Sequence, residues 1–295
     1  MSGLPQLTAE QIATAFPNLR NIELVGKGGQ KVVFRVGIDG RSYALKFALL
    51  TEEIESDEGQ FLDVAARAKR EVEIMRDCNS PHIVKLGPIG LDFCDIAGQK
   101  LLYFSEEFVE GQNVKDILAT GARLNPAEIV SLGTHVTSAI QELWSLGKIH
   151  RDIKPGNIIK RRGGDYVLLD AGLAFDVVGE SLSAGFLVGT PPYFSPEQLY
   201  YNNRRVLDFR SDLFSLGVTL YEMSTGVHPF WTRGETSQRL FQNIQAVSPP
   251  PPSSLNAAIP LELDRIILRL LGKSPHLRYR KCEQLIKALQ EIRRS

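Results

Sequence analysis

His150-Arg151-Asp152-Ile153-Lys154-Pro155-Gly156-Asn157 sets an aspartate, a lysine and an asparagine at fixed offsets on one short loop. Thirteen residues after Asn157 comes Asp170, in Leu168-Leu169-Asp170-Ala171-Gly172. Four such side chains can place a nucleophile, offset charge on a moving phosphoryl group and hold two divalent cations against a triphosphate. A set of merely turn-forming polar residues is the alternative, and it has to explain all four at once. Hard oxygen donors in small number suit Mg²⁺ better than Zn²⁺.

Upstream, Val25-Gly26-Lys27-Gly28-Gly29-Gln30-Lys31-Val32-Val33 is expected to loop between two strands. Glycines there let backbone N–H groups approach phosphates. Lys46 follows thirteen residues after Val33, on the next strand, in Ala44-Leu45-Lys46. No Gly-Lys-Ser/Thr opens a helix, so this is not a Walker A loop. Lys46 needs a carboxylate to aim it. Glu71 and Glu73 compete for that role, and they face different sides of a helix.

Residues 8–16 read as a short helix, because Thr8 and Gln11 have capping-box spacing and Ile12 and Phe16 share a face. Residues 20–50 read as strands, with a tight hairpin at Asp39-Gly40. The acidic stretch 51–60 reads as a solvated loop. Phe61, Val64, Ala65, Ala68, Val72 and Met75 mark a helix over 61–78. Strand-like runs follow at Ile83-Val84-Lys85-Leu86 and Leu101-Leu102-Tyr103-Phe104. Helices are then expected over 113–120, 126–147, 211–226, 236–246, 261–271 and 281–293. Pro249-Pro250-Pro251-Pro252 reads as a stiff surface loop, with a polyproline ligand as the rival reading. A β-rich first third and a helical remainder predict an α+β protein of two lobes joined near 107–112.

These motifs resemble, over nearly the whole chain, the protein kinases of the Ser/Thr type, in wording most like the bacterial ones. The resemblance implies the two-lobed kinase fold: a helical extension over 1–19, a β-rich N-lobe with one regulatory helix over 20–109, and a mainly helical C-lobe over 110–295. It implies that Asp152 accepts or orients the proton of the attacking hydroxyl, and that Lys154 offsets phosphoryl charge. Asn157 and Asp170 ligate Mg²⁺, with Mn²⁺ as a substitute. Lys46, aimed by Glu71, meets the phosphates of ATP. Gly26, Lys27 and Gly28 cradle those phosphates. Val33 and Ala44 cover one face of adenine and Ile159 the other, Glu107 and Val109 offer it backbone groups, and Asn113 reaches the ribose. In the same register Glu197 pairs with Arg278, Asp212 anchors the backbone near Arg151, and Thr190 hydrogen-bonds Asp152 and Lys154.

Three positions depart from the family pattern. Lys31 stands where a third glycine is usual; it closes over phosphate or points to water. Ala171 replaces a phenylalanine, a loss that Phe175 or Met75 could fill. Glu106 puts a carboxylate at the back of the adenine pocket, where it bonds Lys46, competes with Glu71 or points elsewhere. The departures support a rival reading, a pseudokinase that binds or scaffolds on the same fold; a small-molecule phosphotransferase is the third. Arg151 before the catalytic aspartate suggests a segment switched by autophosphorylation at Ser181 or Ser183.

Composition limits the partners. Lys plus Arg number 34 and Asp plus Glu 34, so no global field favours nucleic acid. Cys78, Cys94 and Cys282 form no C-x-x-C pair, which argues against a disulfide scaffold or structural zinc. No apolar run approaches the roughly 18–20 residues of a membrane span, and the N-terminus lacks a signal-peptide pattern. A cytoplasmic protein acting on ATP and on protein substrates with Ser/Thr acceptors is the expectation, with no nucleic acid and no direct membrane insertion.

Overall fold

A computed structural model describes residues 4–28, 31–50, 58–171, 175–176, 189–199 and 207–292, with the side chains of 58–63 and 175–176 also outside the description. Gly29, Gln30, the acidic stretch 51–57, Gly172, Ser181 and Ser183 therefore lie outside the described residues. The chain divides into two compact units, Met1–Cys78 with Val84–Val109, and Asn79–Ile83 with Glu110–Ser295.

The first unit is built on an antiparallel sheet of β1 (Arg20–Gly28), β2 (Lys31–Ile38), β3 (Arg41–Leu50), β4 (Asp92–Ile96) and β5 (Gln99–Glu107), in the order β1-β2-β3-β5-β4. Successive side chains alternate between faces. On one face Val32, Phe34, Val36, Leu45, Phe47 and Leu101 join Leu7, Ile12 and Leu19 in a closed apolar core. Helix α1 (Ala9–Ala15) thus belongs to this core, and the capping box of Thr8 and Gln11 starts it. The other face carries Lys46, Phe104 and Glu106, and helix α2 (Glu58–Asp77) supplies Glu71 to it. Lys85 Nζ donates to the Cys78 carbonyl at 2.8 Å, putting a cation at the C-terminal end of α2.

Two expectations need correction here. Helix α2 begins at Glu58, so the acidic stretch does not stay a loop to residue 60. Ile83–Leu86 is not a strand: Leu86 bridges only Glu106 and Ile83 only Leu168, and no ladder forms. The strand that pairs with β5 is instead Asp92–Ile96, which the sequence hides because its pattern is mostly exposed, Phe93 included. Its two-residue turn is Ala97-Gly98, with both φ values positive (53° and 73°), so alanine sits where asparagine or aspartate usually advertises a hairpin.

The second unit is mainly helical. Its helices are α3 (Val114–Ala119), α4 (Pro126–Ser145), α5 (Phe209–Thr225), α6 (Ser237–Ala246), α7 (Pro252–Leu255), α8 (Leu261–Leu270) and α9 (Cys282–Ile292). Helix α5 is buried on nearly every face, which only a central helix can be. It packs against α4 and α8, and α4 against α9. Small strands complete the unit: β6 (Gly111–Asn113), β8 (Ile158–Arg161) and β9 (Tyr166–Leu168) form one sheet, and β7 (Lys148–Ile149) pairs with β10 (Phe175–Asp176). The four prolines are not all loop. Pro252 opens α7, where its missing N–H costs nothing, and Tyr221 donates to the Pro250 carbonyl.

Candidate active site

In the first unit Lys46 is buried at the centre of β3 and donates to Glu71 Oε1 at 2.7 Å. Glu71 is fully buried. Glu73 lies two residues on, is 42 % exposed and pairs with the exposed Lys69 at 3.9 Å, so helical facing separates the two competitors. Lys46 also pairs with Glu106 Oε2 at 2.8 Å. Lys31 does not simply point to water. Its ammonium is paired with Glu71 Oε2. The register explains this: Val33 lies opposite Lys46, and Lys31, two residues away, projects from the same face.

The glycine stretch is mostly strand. Gly26 and Gly28 belong to β1, opposite Val33 and Lys31, with a register shift between Leu24 and Gly26. Lys27 pairs with Val32. Gly29 and Gln30, between the two strands in sequence, lie outside the described residues. Ala44 and Val109 are buried and Val33 partly so. Glu107 donates its N–H to the Lys85 carbonyl at 2.8 Å.

In the second unit the catalytic-loop residues meet one another directly. Lys154 Nζ donates to Asp152 Oδ2 at 2.6 Å and to Thr190 Oγ1. Asn157 Nδ2 donates to the Asp152 carbonyl and to Oδ2, both at 2.9 Å. Asp152 Oδ1 is buried and accepts no hydrogen bond among the described residues. Asp170 sits at φ +56°, and the preceding Leu169 N–H donates to the Asn157 carbonyl at 2.8 Å, so backbone ties the two candidate metal ligands together. Asn113 makes two hydrogen bonds that hold its side chain. Its Oδ1 caps α3 on Lys115 N at 2.9 Å, and its Nδ2 donates to the Gly156 carbonyl at 2.9 Å. Each of these two atoms keeps one more hydrogen-bonding valence, so neither bond stands against a ribose contact. Ile159 pairs with Asn113 across β6 and β8 and is partly exposed.

Buried polar groups hold the loop. Asp212 accepts the N–H of His150 at 2.7 Å and of Arg151 at 2.8 Å. Burial pushes its carboxyl up, against the pull of His150, Arg151 and these two N–H groups. His150 was given no role by the sequence, although it stands in the decisive motif. Its Nδ1 accepts from Asp152 N at 3.3 Å and its Nε2 meets the Leu169 carbonyl at 3.1 Å, which fixes the ring as the Nε2–H tautomer. Gly189, at φ +126°, returns the chain so closely that a Cβ would lie 2.9 Å from the Arg151 carbonyl. Glu197 takes a bidentate pair from the fully buried Arg278, at 2.6 and 2.9 Å. Arg278 further donates to the Arg210 and Gly272 carbonyls.

Among the described residues no helix is long and apolar enough to cross a membrane. Residues 19–289 match the family description "Protein kinase domain". The chain is 34 % identical over 280 residues to the serine/threonine-protein kinase pkn3 of Myxococcus xanthus, covering 91 % of this chain and 49 % of that protein. It is 32 % identical over 267 residues to the probable serine/threonine-protein kinase PknB of Bifidobacterium longum, covering 87 % and 37 %. It is 28 % identical over 274 residues to the probable serine/threonine-protein kinase CPE1738 of Clostridium perfringens, covering 92 % and 38 %. The chain thus spans less than half the length of each of these relatives.

Proposed function

Since this chain belongs to the protein kinase domain family, we propose that it transfers the γ-phosphoryl group of ATP to Ser and Thr hydroxyls of proteins. The family uses ATP and a divalent metal. The observation that carries the reading is Asp152: one carboxylate oxygen is pinned by Lys154 and Asn157, while the other is buried without a hydrogen-bond donor among the described residues. A buried acceptor left open in this way costs stability, and the arrival of a substrate hydroxyl would satisfy it. Asp152 is then the group that orients the hydroxyl and receives its proton. Lys154 offsets the negative charge of the acceptor and of the moving group.

The donor chemistry fits a hard cation. Asn157 spends its amide N–H on Asp152, which leaves its carbonyl oxygen, and Asp170 contributes a carboxylate. We assign both to Mg²⁺, with Mn²⁺ as a substitute. When bound, the metal neutralises charge on phosphate oxygens. Lys46, aimed by Glu71, serves the nucleotide phosphates, as do the backbone N–H groups of Gly26, Lys27 and Gly28. Val33, Ala44 and Ile159 supply apolar cover for adenine, and Glu107 and Val109 offer it backbone groups. The Ser/Thr acceptor class rests on Lys154 within the loop and on the names of the three relatives. A cytoplasmic location, and autophosphorylation at Ser181 or Ser183, are part of the same proposal.

The test is transfer of label from radioactive ATP with Mg²⁺ to a generic basic protein, wild type beside Asp152→Ala, followed by phosphoamino-acid analysis. Labelled phosphoserine or phosphothreonine, lost in the variant, is expected. ATP binding with no transfer by the wild type would overturn the enzyme reading in favour of a binding protein on the same fold.

A further inference from the structure

The pairing around Lys46 extends beyond one lysine and one glutamate. Four side chains alternate in sign: Lys31, Glu71, Lys46, Glu106. Lys31 takes Glu71 Oε2, Lys46 takes Glu71 Oε1, and Lys46 reaches Glu106 at 2.8 Å. The inner pair is almost fully enclosed, Glu106 is 4 % exposed and Lys31 22 %. Both ammonium groups also lie 5.7 Å from the Phe104 ring centroid. Neither end makes physical sense alone. A buried Glu106 without Lys31 leaves two carboxylates to share Lys46, and Lys31 without Glu106 leaves two cations on Glu71. Either case unbalances this set by one charge in a poorly solvated place, which is costly. Together the four sum to zero.

We propose that Lys31 and Glu106 are a compensating pair of positioning residues that hold the Lys46–Glu71 pair in place and set the charge that a nucleotide phosphate meets. Two positions that look like separate departures are one coupled change. Lys31 takes up part of the Glu71 charge that Lys46 would otherwise carry alone. Glu106 takes up the matching part of Lys46. Losing Lys31 alone adds a net negative charge beside the phosphate-binding lysine, so nucleotide affinity falls. Losing both outer groups returns a single neutral pair. The phosphate clause of the proposal rests on the function assigned above; the coupling between the two residues does not.

The experiment is a double-mutant cycle with Lys31→Met, Glu106→Met and the double variant, read by MgADP affinity from calorimetry and by thermal unfolding without nucleotide. Lys31→Arg tests rescue by charge alone. Lys31→Met is expected to weaken MgADP by about tenfold, with the double variant returning to within about threefold of wild type. In unfolding, each single variant lowers the midpoint and the double variant recovers at least half of the summed loss. Additive losses in both readouts, or no loss in Lys31→Met, overturn the proposal. If the wild type fails to bind MgADP, the function reading falls, and the unfolding cycle still decides the coupling: recovery supports it and additivity sinks it.

Discussion

Asp212 holds Arg151 by its backbone: the carboxylate accepts the Arg151 N–H at 2.8 Å while that residue sits at φ +68°, in the left-handed region. For an arginine this conformation costs on the order of 1–3 kcal/mol and persists only where its surroundings impose it. The neighbouring His150 N–H goes to the other oxygen of the same carboxylate. The residue before Asp152 is therefore set by a buried anion on α5, 61 positions further along the chain.

Asp212→Asn should accordingly harm the loop more than its small change in shape suggests. An amide offers one acceptor and one donor to two N–H groups, so one of them is left facing a donor. The expected loss is about 1–3 kcal/mol in urea unfolding, together with a drop in phosphotransfer from a misplaced Asp152. Unchanged stability and activity would show that the two N–H bonds do not hold the loop.

Arg278→Leu leaves Glu197 buried without its bidentate partner. Removing one member of a buried ion pair costs about 3–5 kcal/mol, because the other charge stays behind. The double variant Glu197→Gln with Arg278→Leu should recover part of that loss. Urea unfolding of the three proteins checks it, and an undiminished midpoint in Arg278→Leu would contradict the pairing's role.

His228 gives a pH signature. Burial pushes its imidazole from 6.5 to about 4, against a smaller upward push from the Pro192 carbonyl. The unfolded chain then binds the extra proton first. The contribution is present above the unfolded value and is lost as pH falls from 6.5 towards 4, by up to about 3 kcal/mol. His228→Asn keeps an acceptor for Phe230 N, which now donates to Nδ1 at 3.2 Å, but does not titrate. Unfolding midpoints at pH 7 and pH 4.5 should differ less in the variant than in wild type; equal differences would place the acid sensitivity elsewhere.

The parts legible from sequence are those fixed by neighbours along the chain. The capping box at Thr8 and Gln11, the hairpin at Asp39-Gly40 and the close set Asp152, Lys154 and Asn157 all depend on offsets of a few residues. What stayed hidden depends on distant partners. Lys31 is 40 positions from Glu71, and nothing local says that a lysine beside a glycine stretch turns towards a helix. The strand Asp92–Ile96 lies on a sheet edge, and its neighbours Asp92 and Phe93, on opposite faces, are both exposed, so it lacks the apolar alternation that announces strands. Ile83–Leu86 shows the reverse case, β-forming residues whose backbone bridges go to separate partners. The bond from Asn113 to the Gly156 carbonyl, 43 positions away, is likewise invisible along the chain.

The central claim is that Asp152 acts on the hydroxyl and not on nucleotide binding. Single-turnover phosphotransfer at saturating MgATP, measured for wild type and Asp152→Asn with nucleotide Kd determined in parallel, tests it most directly. A rate lower by about 10²–10⁴, with Kd unchanged within about threefold, is expected. An unchanged rate, or a rate and an affinity that fall together, would contradict it.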